Sequence, residues 1–513
     1  MSLYGLADIV LCPRTAWRYN PSAPAIIFGG QVTTYGELAN GVLSLAAGLR
    51  DRGFRRGDVV AVLLKNRPEY LETVFAVAHL GGVLVPLNYL LRPREVEYIV
   101  SDSAASWIIT EAGLIESIAG CAEPPPGPTP IIVGDGTAPG ALRYADVRSA
   151  PPETAPGATV TSDETVLLQY TSGTTGFPKG AIHTHGTVLF NALGQIVDFG
   201  CSASDVHLVV PSLSWAAGLH CLTLSTLWRG GTVVLKETGG FDPETLCAMI
   251  ERYRVTMGMF APSVLRMVLA SGALLRHDLT SLRLVLSGGE PVTAEEIKEV
   301  QARIPNLELN QGYGVSEFPS TMLFLGADDV AEHGGAAGLS SVTANVRVVD
   351  EKGNPLPVME HGEIAVRSPQ SSLGYHSRTG GLTSAVIDGW LRTGDRGYVD
   401  RDGFVHVAGR VKEMIVSGGL NVYPAEVERV LCSHPAVREA AVIGDHDHKY
   451  GEVGHAFVVI DPGSDVTEAE LEQLARAELA GFKVPRHWTL RTTELPRTVT
   501  GKVRRFELRS DGV

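Results

Sequence analysis

Eleven consecutive residues, Tyr170-Thr-Ser-Gly-Thr-Thr-Gly-Phe-Pro-Lys-Gly180, constrain this chain more than any other stretch. They follow an apparent strand, Thr165–Gln169. Glycines let backbone N–H groups turn toward an anion, hydroxyls add donors, and Lys179 adds positive charge. A flexible Ser/Gly loop is the bland alternative, and the completeness of the pattern argues against it. A Walker A loop is excluded, because Lys179 is followed by Gly180 and GxxxxGK is absent.

The surrounding pattern alternates strand and helix. Thr34 and Glu37 have capping-box spacing, and Leu38, Val42, Leu45 and Leu49 then share one helical face. Asp58–Leu64 reads as a buried strand, residues 69–80 as a helix and Gly82–Pro86 as the next strand. This βαβ rhythm predicts parallel sheets covered by helices. Residues 123–163, rich in Pro, Gly, Ala and Thr with one apolar run at Ile131–Val133, read as a surface excursion. Residues 341–408 carry strand signals and turn dipeptides, so a β-rich subdomain is expected there. Beyond Arg410 come a strand at Glu413–Val416, a glycine turn and a helix from Pro424, with Glu426 near its positive end. The expected fold class is therefore α/β: a large N-terminal domain, residues 1–410, and a small α+β C-terminal domain, residues 411–513.

At 513 residues the chain is too long for one ordinary core. Its formal charge of −14 argues against broad nucleic-acid binding. The six cysteines form no CxxC pair, which favours reduced, buried thiols over a disulfide scaffold or zinc ribbon. No apolar run reaches the ~18 residues of a membrane span, and the N-terminus lacks a leader pattern. A soluble cytoplasmic protein without integral membrane contact is the expectation.

Five further segments stand in order along the chain: Ser287-Gly-Gly-Glu-Pro291, Gly312-Tyr-Gly-Val-Ser-Glu317, Trp390-Leu-Arg-Thr-Gly-Asp395, Gly409-Arg-Val-Lys-Glu-Met-Ile415 leading into Ser417-Gly-Gly419, and Pro496-Arg-Thr-Val-Thr-Gly-Lys502. Taken singly, several of these are ordinary turns. As an ordered set with Tyr170–Gly180, they closely resemble the adenylate-forming superfamily of acyl-CoA synthetases, aryl-CoA ligases, luciferases and peptide-synthetase adenylation domains. The resemblance runs from Thr34-Tyr35 to Lys502, nearly the whole chain.

The resemblance implies ATP-dependent activation of a fatty or aryl acid as an acyl-adenylate, then thioester formation with coenzyme A. It implies ATP, Mg²⁺ and coenzyme A as ligands, and it admits a homodimer. Catalytic roles fall by resemblance on Lys502, Thr175 and Glu317, with Glu317 also holding Mg²⁺. ATP or AMP would be held by Thr171, Ser172, Gly173, Thr174, Thr175, Gly176 and Lys179 of the phosphate loop, and by Gly289, Glu290 and Pro291. Gly312, Tyr313, Gly314, Val315 and Ser316 would border the adenine, with the Tyr313 ring against it. Asp395 would accept from both ribose hydroxyls, as an acceptor-only carboxylate can, and Arg410 would reach the ribose or phosphates. Ser316 stands where threonine is usual, Glu290 where a small residue is frequent, and Glu413 where aspartate is commoner.

Lys412 would be the hinge of a mobile C-terminal domain, and Ser417, Gly418 and Gly419 would border the pantetheine of coenzyme A. The acyl pocket is expected at Trp215, Phe260, Gly288 and Gly314. Related CoA ligases often carry a PxxH histidine there, whereas this chain has Ser214 and Trp215. Arg504 and Arg505 read as a solvated basic face, Met257 and Met259 as core, and His185 as a packing residue. His183 with His185, or His446 with His448, lack further ligands at metal-site spacing. The rival readings are a stand-alone adenylating enzyme serving a carrier protein or other acceptor, a luciferase-like oxygenase, and a non-catalytic acyl- or nucleotide-binding relative. Lys179, Glu317, Asp395 and Lys502 are all present, which argues against the last.

Overall fold

The computed structural model describes residues 4–11, 20–122, 127–152, 159–171, 178–288, 292–333, 335–376, 386–410, 413–417, 420–497 and 503–508. The chain divides into two compact units, Met1–Val346 with Val366–Leu391, and Arg347–Ala365 with Arg392–Val513.

The first unit contains two large sheets. Seven strands run in the order Leu142–Arg143, Thr129–Val133, Trp107–Glu111, Val59–Leu63, Val83–Pro86, Thr165–Thr171, Lys179–Thr184. Every neighbouring pair is parallel except the last. The other sheet has nine strands, and at its centre Glu308–Tyr313, Leu284–Gly288, Met257–Met259, Val206–Val209 and Thr232–Leu235 lie side by side in parallel.

Helices cover both faces of the parallel strands, which is why those strands read as continuous apolar runs. Val60, Val62 and Leu64 enter one core with the helix Tyr35–Asp51. Ala61 and Leu63, pointing the other way, join Val96, Ile99 and Val100 of the helix Pro93–Asp102. The Tyr35–Asp51 helix starts where its capping box predicts. The Glu37 amide donates to the Thr34 hydroxyl at 3.2 Å, and the Thr34 amide donates back to the Glu37 carboxylate at 2.8 Å. Leu38, Val42, Leu45 and Leu49 are all buried.

The surface-excursion reading of residues 123–163 needs correction. Thr129–Val133 is a parallel strand beside Trp107–Glu111, and Ile131, Ile132 and Val133 are buried. The helix Tyr144–Arg148 then packs so closely on Tyr35–Asp51 that a Cβ at Gly48 would overlap the Val147 carbonyl. Arg148 adds a 2.6 Å ion pair to buried Glu72. The Pro- and Gly-rich flanks masked one short buried strand.

The second unit is built on two sheets. In one, Gly362–Arg367 lies beside Trp390–Val399, which pairs antiparallel with Val405–Arg410. This is the expected β-rich segment. In the other, Ile415–Ser417 and Val437–Asp447 flank Gly451–Ile460 antiparallel, and His487–Arg491 pairs with Gly451–Ile460 in parallel. Helices Pro424–Leu431 and Glu468–Glu478 supply Val427, Leu431, Leu471 and Ala475 to its core. Arg505 is not on a solvated face. It donates to both carboxylate oxygens of Glu428, at 3.0 and 3.1 Å, and to Glu413 at 3.2 Å.

Cys121, Cys201, Cys221 and Cys247 are free and buried as expected, whereas free Cys432 is exposed. Among the described residues no helix is long and apolar enough to cross a membrane.

Candidate active site

Strands Thr165–Thr171 and Lys179–Thr184 form an antiparallel pair in which Tyr170 faces Gly180 and Thr171 faces Lys179. The stem of the expected phosphate loop is thus a hairpin at one edge of the seven-stranded sheet. Ser172, Gly173, Thr174, Thr175 and Gly176 of the loop itself lie outside the described residues, as does the Thr171 side chain. The Tyr170 hydroxyl donates to Asp102 at 2.6 Å, and its ring fills the space above Gly180. Lys179 is exposed.

A segment the sequence did not single out is laid along this hairpin. Leu373 N–H donates to Ile182 O at 3.0 Å, Ile182 N–H to Gly374 O at 2.9 Å, and His376 N–H to Gly180 O at 2.7 Å. The pairing sets the Tyr375 ring 5.7 Å from Lys179 Nζ, a cation–π distance. The Tyr375 hydroxyl donates to Glu317 Oε1, and Ser372 N–H donates to Glu317 O at 2.8 Å. Lys179 and Glu317, far apart in sequence, are therefore linked through one tyrosine.

Strands Leu284–Gly288 and Glu308–Tyr313 carry the next group, with Gly288 opposite Gly312. A Cβ on Gly288 would stand 2.6 Å from the Gly312 carbonyl, so this close approach needs glycine. Tyr313 ends its strand half-buried, Gly314 is exposed, Val315 is buried, and Ser316 and Glu317 are half-buried. A side chain at Gly314 would overlap the Ser320 backbone. His183 fixes this turn from behind: burial pulls its pKa down to about 4, and the neutral ring donates from Nε2 to the Ser316 carbonyl at 3.0 Å. The ring of His220 lies 6.4 Å from that of His183, and burial pulls its pKa down to about 3. Both His220 nitrogens and the Ser287 hydroxyl are buried without a partner among the described residues. His185 accepts from Leu6 N–H at 3.0 Å, a packing role.

The four expected acyl-pocket residues stand at the ends of four different elements. Trp215 is half-buried at the start of the short helix Ala216–Leu219. Phe260 is buried and lines a small, wholly apolar cavity with Leu246, Leu265 and Leu282. Met257 and Met259 pack on the other side of the same chain segment, with Phe199, Cys221 and Leu286. Gly288 and Gly314 border the turn described above. Gly289, Glu290 and Pro291 lie outside the described residues.

In the second unit, Thr393-Gly394-Asp395 is no turn but the middle of the strand Trp390–Val399. Gly394 has φ +72, and its N–H donates to Glu363 Oε1 at 3.0 Å. The Thr393 hydroxyl donates to Ile364 O at 2.8 Å. Asp395 faces Arg410 across the ladder, and Arg410 Nε meets Asp395 Oδ1 at 2.8 Å. Two expected ribose ligands are therefore direct neighbours. Ser417 is buried at the end of Ile415–Ser417. Lys412, Gly418, Gly419 and Lys502 lie outside the described residues.

The AMP-binding enzyme family matches residues 13–376, and the AMP-binding enzyme C-terminal domain matches residues 426–502. A feruloyl-CoA synthase from Amycolatopsis sp is 40% identical over 492 residues, 96% of each chain. The fold is similar to an anthranilate CoA ligase solved with anthranoyl-AMP, with TM-score 0.86, 29% identity, and coverage of 100% of this chain and 98% of that one. It is also similar to o-succinylbenzoate CoA synthetase from Bacillus subtilis solved with ATP and magnesium, with TM-score 0.83, 30% identity, and coverage of 96% and 98%.

Proposed function

Because the chain belongs to the AMP-binding enzyme family and is an AMP-forming acid–CoA ligase, we propose that its acid is an aryl or arylalkenoic carboxylic acid. The observation that carries this choice is the 40% identity, over 96% of both chains, to a feruloyl-CoA synthase.

The reaction has two displacements. In the first, a carboxylate oxygen of the acid attacks the α-phosphorus of ATP, the new P–O bond forms, and pyrophosphate leaves. No protein nucleophile is required; the work is positioning and charge neutralisation. Lys179 at the hairpin edge and Lys502 are the cations assigned to it. In the second, the coenzyme A thiolate attacks the acyl carbon, and AMP leaves. Asp395 and Arg410 are assigned to the ribose and its phosphate, and Ser417 with Gly418 and Gly419 to the pantetheine. Residues 411–513, turning about Lys412, would exchange the Lys502 face for the pantetheine-binding face between steps.

Glu317 offers the carboxylate oxygen that Mg²⁺ prefers, and the Tyr375 hydroxyl orients that carboxylate. When bound, the ion would neutralise triphosphate charge. Tyr375→Phe removes a hydrogen bond to a charged group, a loss of about 1.5 kcal/mol or more. The Mg²⁺ concentration for half-maximal adenylation is expected to rise about tenfold, with the melting temperature lowered by no more than a few degrees. An unaltered Mg²⁺ titration would remove Tyr375 from the site.

The activity test is pyrophosphate release with ATP, Mg²⁺ and ferulate, coumarate, benzoate, hexanoate or palmitate, each with and without coenzyme A. Coenzyme A-dependent turnover with kcat/KM highest for an aryl acid is the expected result. A preference for either fatty acid would overturn the aryl assignment.

A further inference from the structure

Three adjacent strands of the second unit bring together residues far apart in sequence. In the antiparallel pair Val437–Asp447 and Gly451–Ile460, Ile443 faces His455 and Asp445 faces Val453. In the parallel pair formed with His487–Arg491, His455 faces His487. Residues opposite one another share a face, and so do residues two apart. Asp445, His455 and His487 therefore project from the same side of the sheet.

Their ligand atoms converge. His487 Nδ1 lies 2.8 Å and His455 Nδ1 3.5 Å from Asp445 Oδ2, and all three atoms lie within 4.8 Å of one another. A tetrahedral ion with bonds of about 2.0–2.1 Å spaces its ligand atoms by roughly 3.3 Å. The triad already has that scale. His455 is also held as a metal ligand is held. Its Nε2 lies 2.9 Å from the Thr489 hydroxyl, and its ring stacks on Phe457 at 4.2 Å. In the tautomer whose Nε2–H donates to Thr489, the Nδ1 lone pair faces a carboxylate oxygen, an arrangement that a cation between them resolves. The His455 side chain is only 13% exposed.

We propose that Asp445, His455 and His487 form a site for one borderline divalent transition-metal ion, with water completing the coordination. Two imidazoles and one carboxylate suit Zn²⁺ better than the oxygen-seeking Mg²⁺. The site uses none of the residues assigned to acid activation. Its effect is to clip three strands of one sheet together.

The test uses the full chain, freed of metal by chelator and dialysis, with Zn²⁺ titrated against a chromophoric competing chelator. One Zn²⁺ per chain is expected, together with a rise in melting temperature on binding. His455→Gln and His487→Gln should each weaken binding by at least the ~10–100-fold typical of losing a supporting partner, and Thr489→Val by about tenfold. A His446→Gln/His448→Gln double variant should bind as the parent does. Equal Zn²⁺ affinity in the parent, His455→Gln and His487→Gln, or no bound Zn²⁺ in the parent, overturns the proposal. The latter outcome would mean that Thr489 donates to His455 and the triad is a closed hydrogen-bond cluster.

Discussion

Replacing Lys502 with alanine is expected to slow adenylate formation on the order of 10²–10³-fold, the usual cost of removing a preorganised charge donor from a developing anion. Negative charge accumulates on the α-phosphate as the acid's carboxylate approaches, so a cation placed between them acts more strongly in the transition state than before it. ATP binding should change little, because Lys179, Asp395 and Arg410 remain. The chain on either side of this lysine is anchored. Arg497 and Val503 form a bridge, Arg504 N–H donates to Pro496 O at 2.7 Å, and Arg505 grips Glu428. The substitution should therefore remove a charge without releasing its neighbours. Thioester formation from supplied acyl-adenylate and coenzyme A should be much less affected, since the lysine is assigned only to the first step. Pyrophosphate exchange and adenylate consumption, measured separately, give the two rates. Equal losses in both would deny the lysine its step-specific role.

What was legible in the sequence was local or tightly ordered. The Thr34–Glu37 cap needs only three residues of separation, and both of its hydrogen bonds are present. The buried strand at Val59–Leu63 announces itself by being apolar on both faces. Lys179, Glu317 and Asp395 stand out in the sequence because each lies in a recognisable motif. Tyr375 was missed because its role comes from a distant backbone pairing, Ala181 with Tyr375, that no short pattern encodes. His183 carries an equally hidden task, since its partner is a backbone carbonyl at Ser316. Arg505 looked solvated because charge in a short basic run gives no hint of Glu428, which approaches from a different helix. The Asp445, His455 and His487 cluster escaped for the same reason: its spacing in sequence resembles no metal motif until three strands align.

Acidification should destabilise the first unit steeply, and its buried histidines are the cause. His183, His185, His207 and His220 are essentially inaccessible to water. Burial lowers the pKa values of the first three from 6.5 to about 4 and that of His220 to about 3. Their folded pKa values are depressed, so their neutral forms favour folding above pH 6.5, and that contribution is lost as pH falls toward 4. In the unfolded chain each takes up a proton that the folded chain refuses, a difference of ~1.4 kcal/mol per pH unit. At about pH 5 this is roughly 2 kcal/mol for each histidine and roughly 8 kcal/mol for four. Glu72 works in the opposite sense. Burial, partly offset by Arg148, raises its pKa from 4.5 to about 7, so its contribution is present in acid and lost as pH rises through that value. It returns ~3 kcal/mol at most on acidification. The net loss, ~5 kcal/mol, is comparable with the whole stability of a domain. Urea unfolding followed by tryptophan fluorescence should show a far lower midpoint at about pH 5 than at about pH 7.5. His207→Gln, which can keep a donor for the Met257 carbonyl, should flatten the pH slope by one proton. A midpoint that does not move between the two pH values would mean that these rings are hydrated or charged in the folded chain, contrary to their burial.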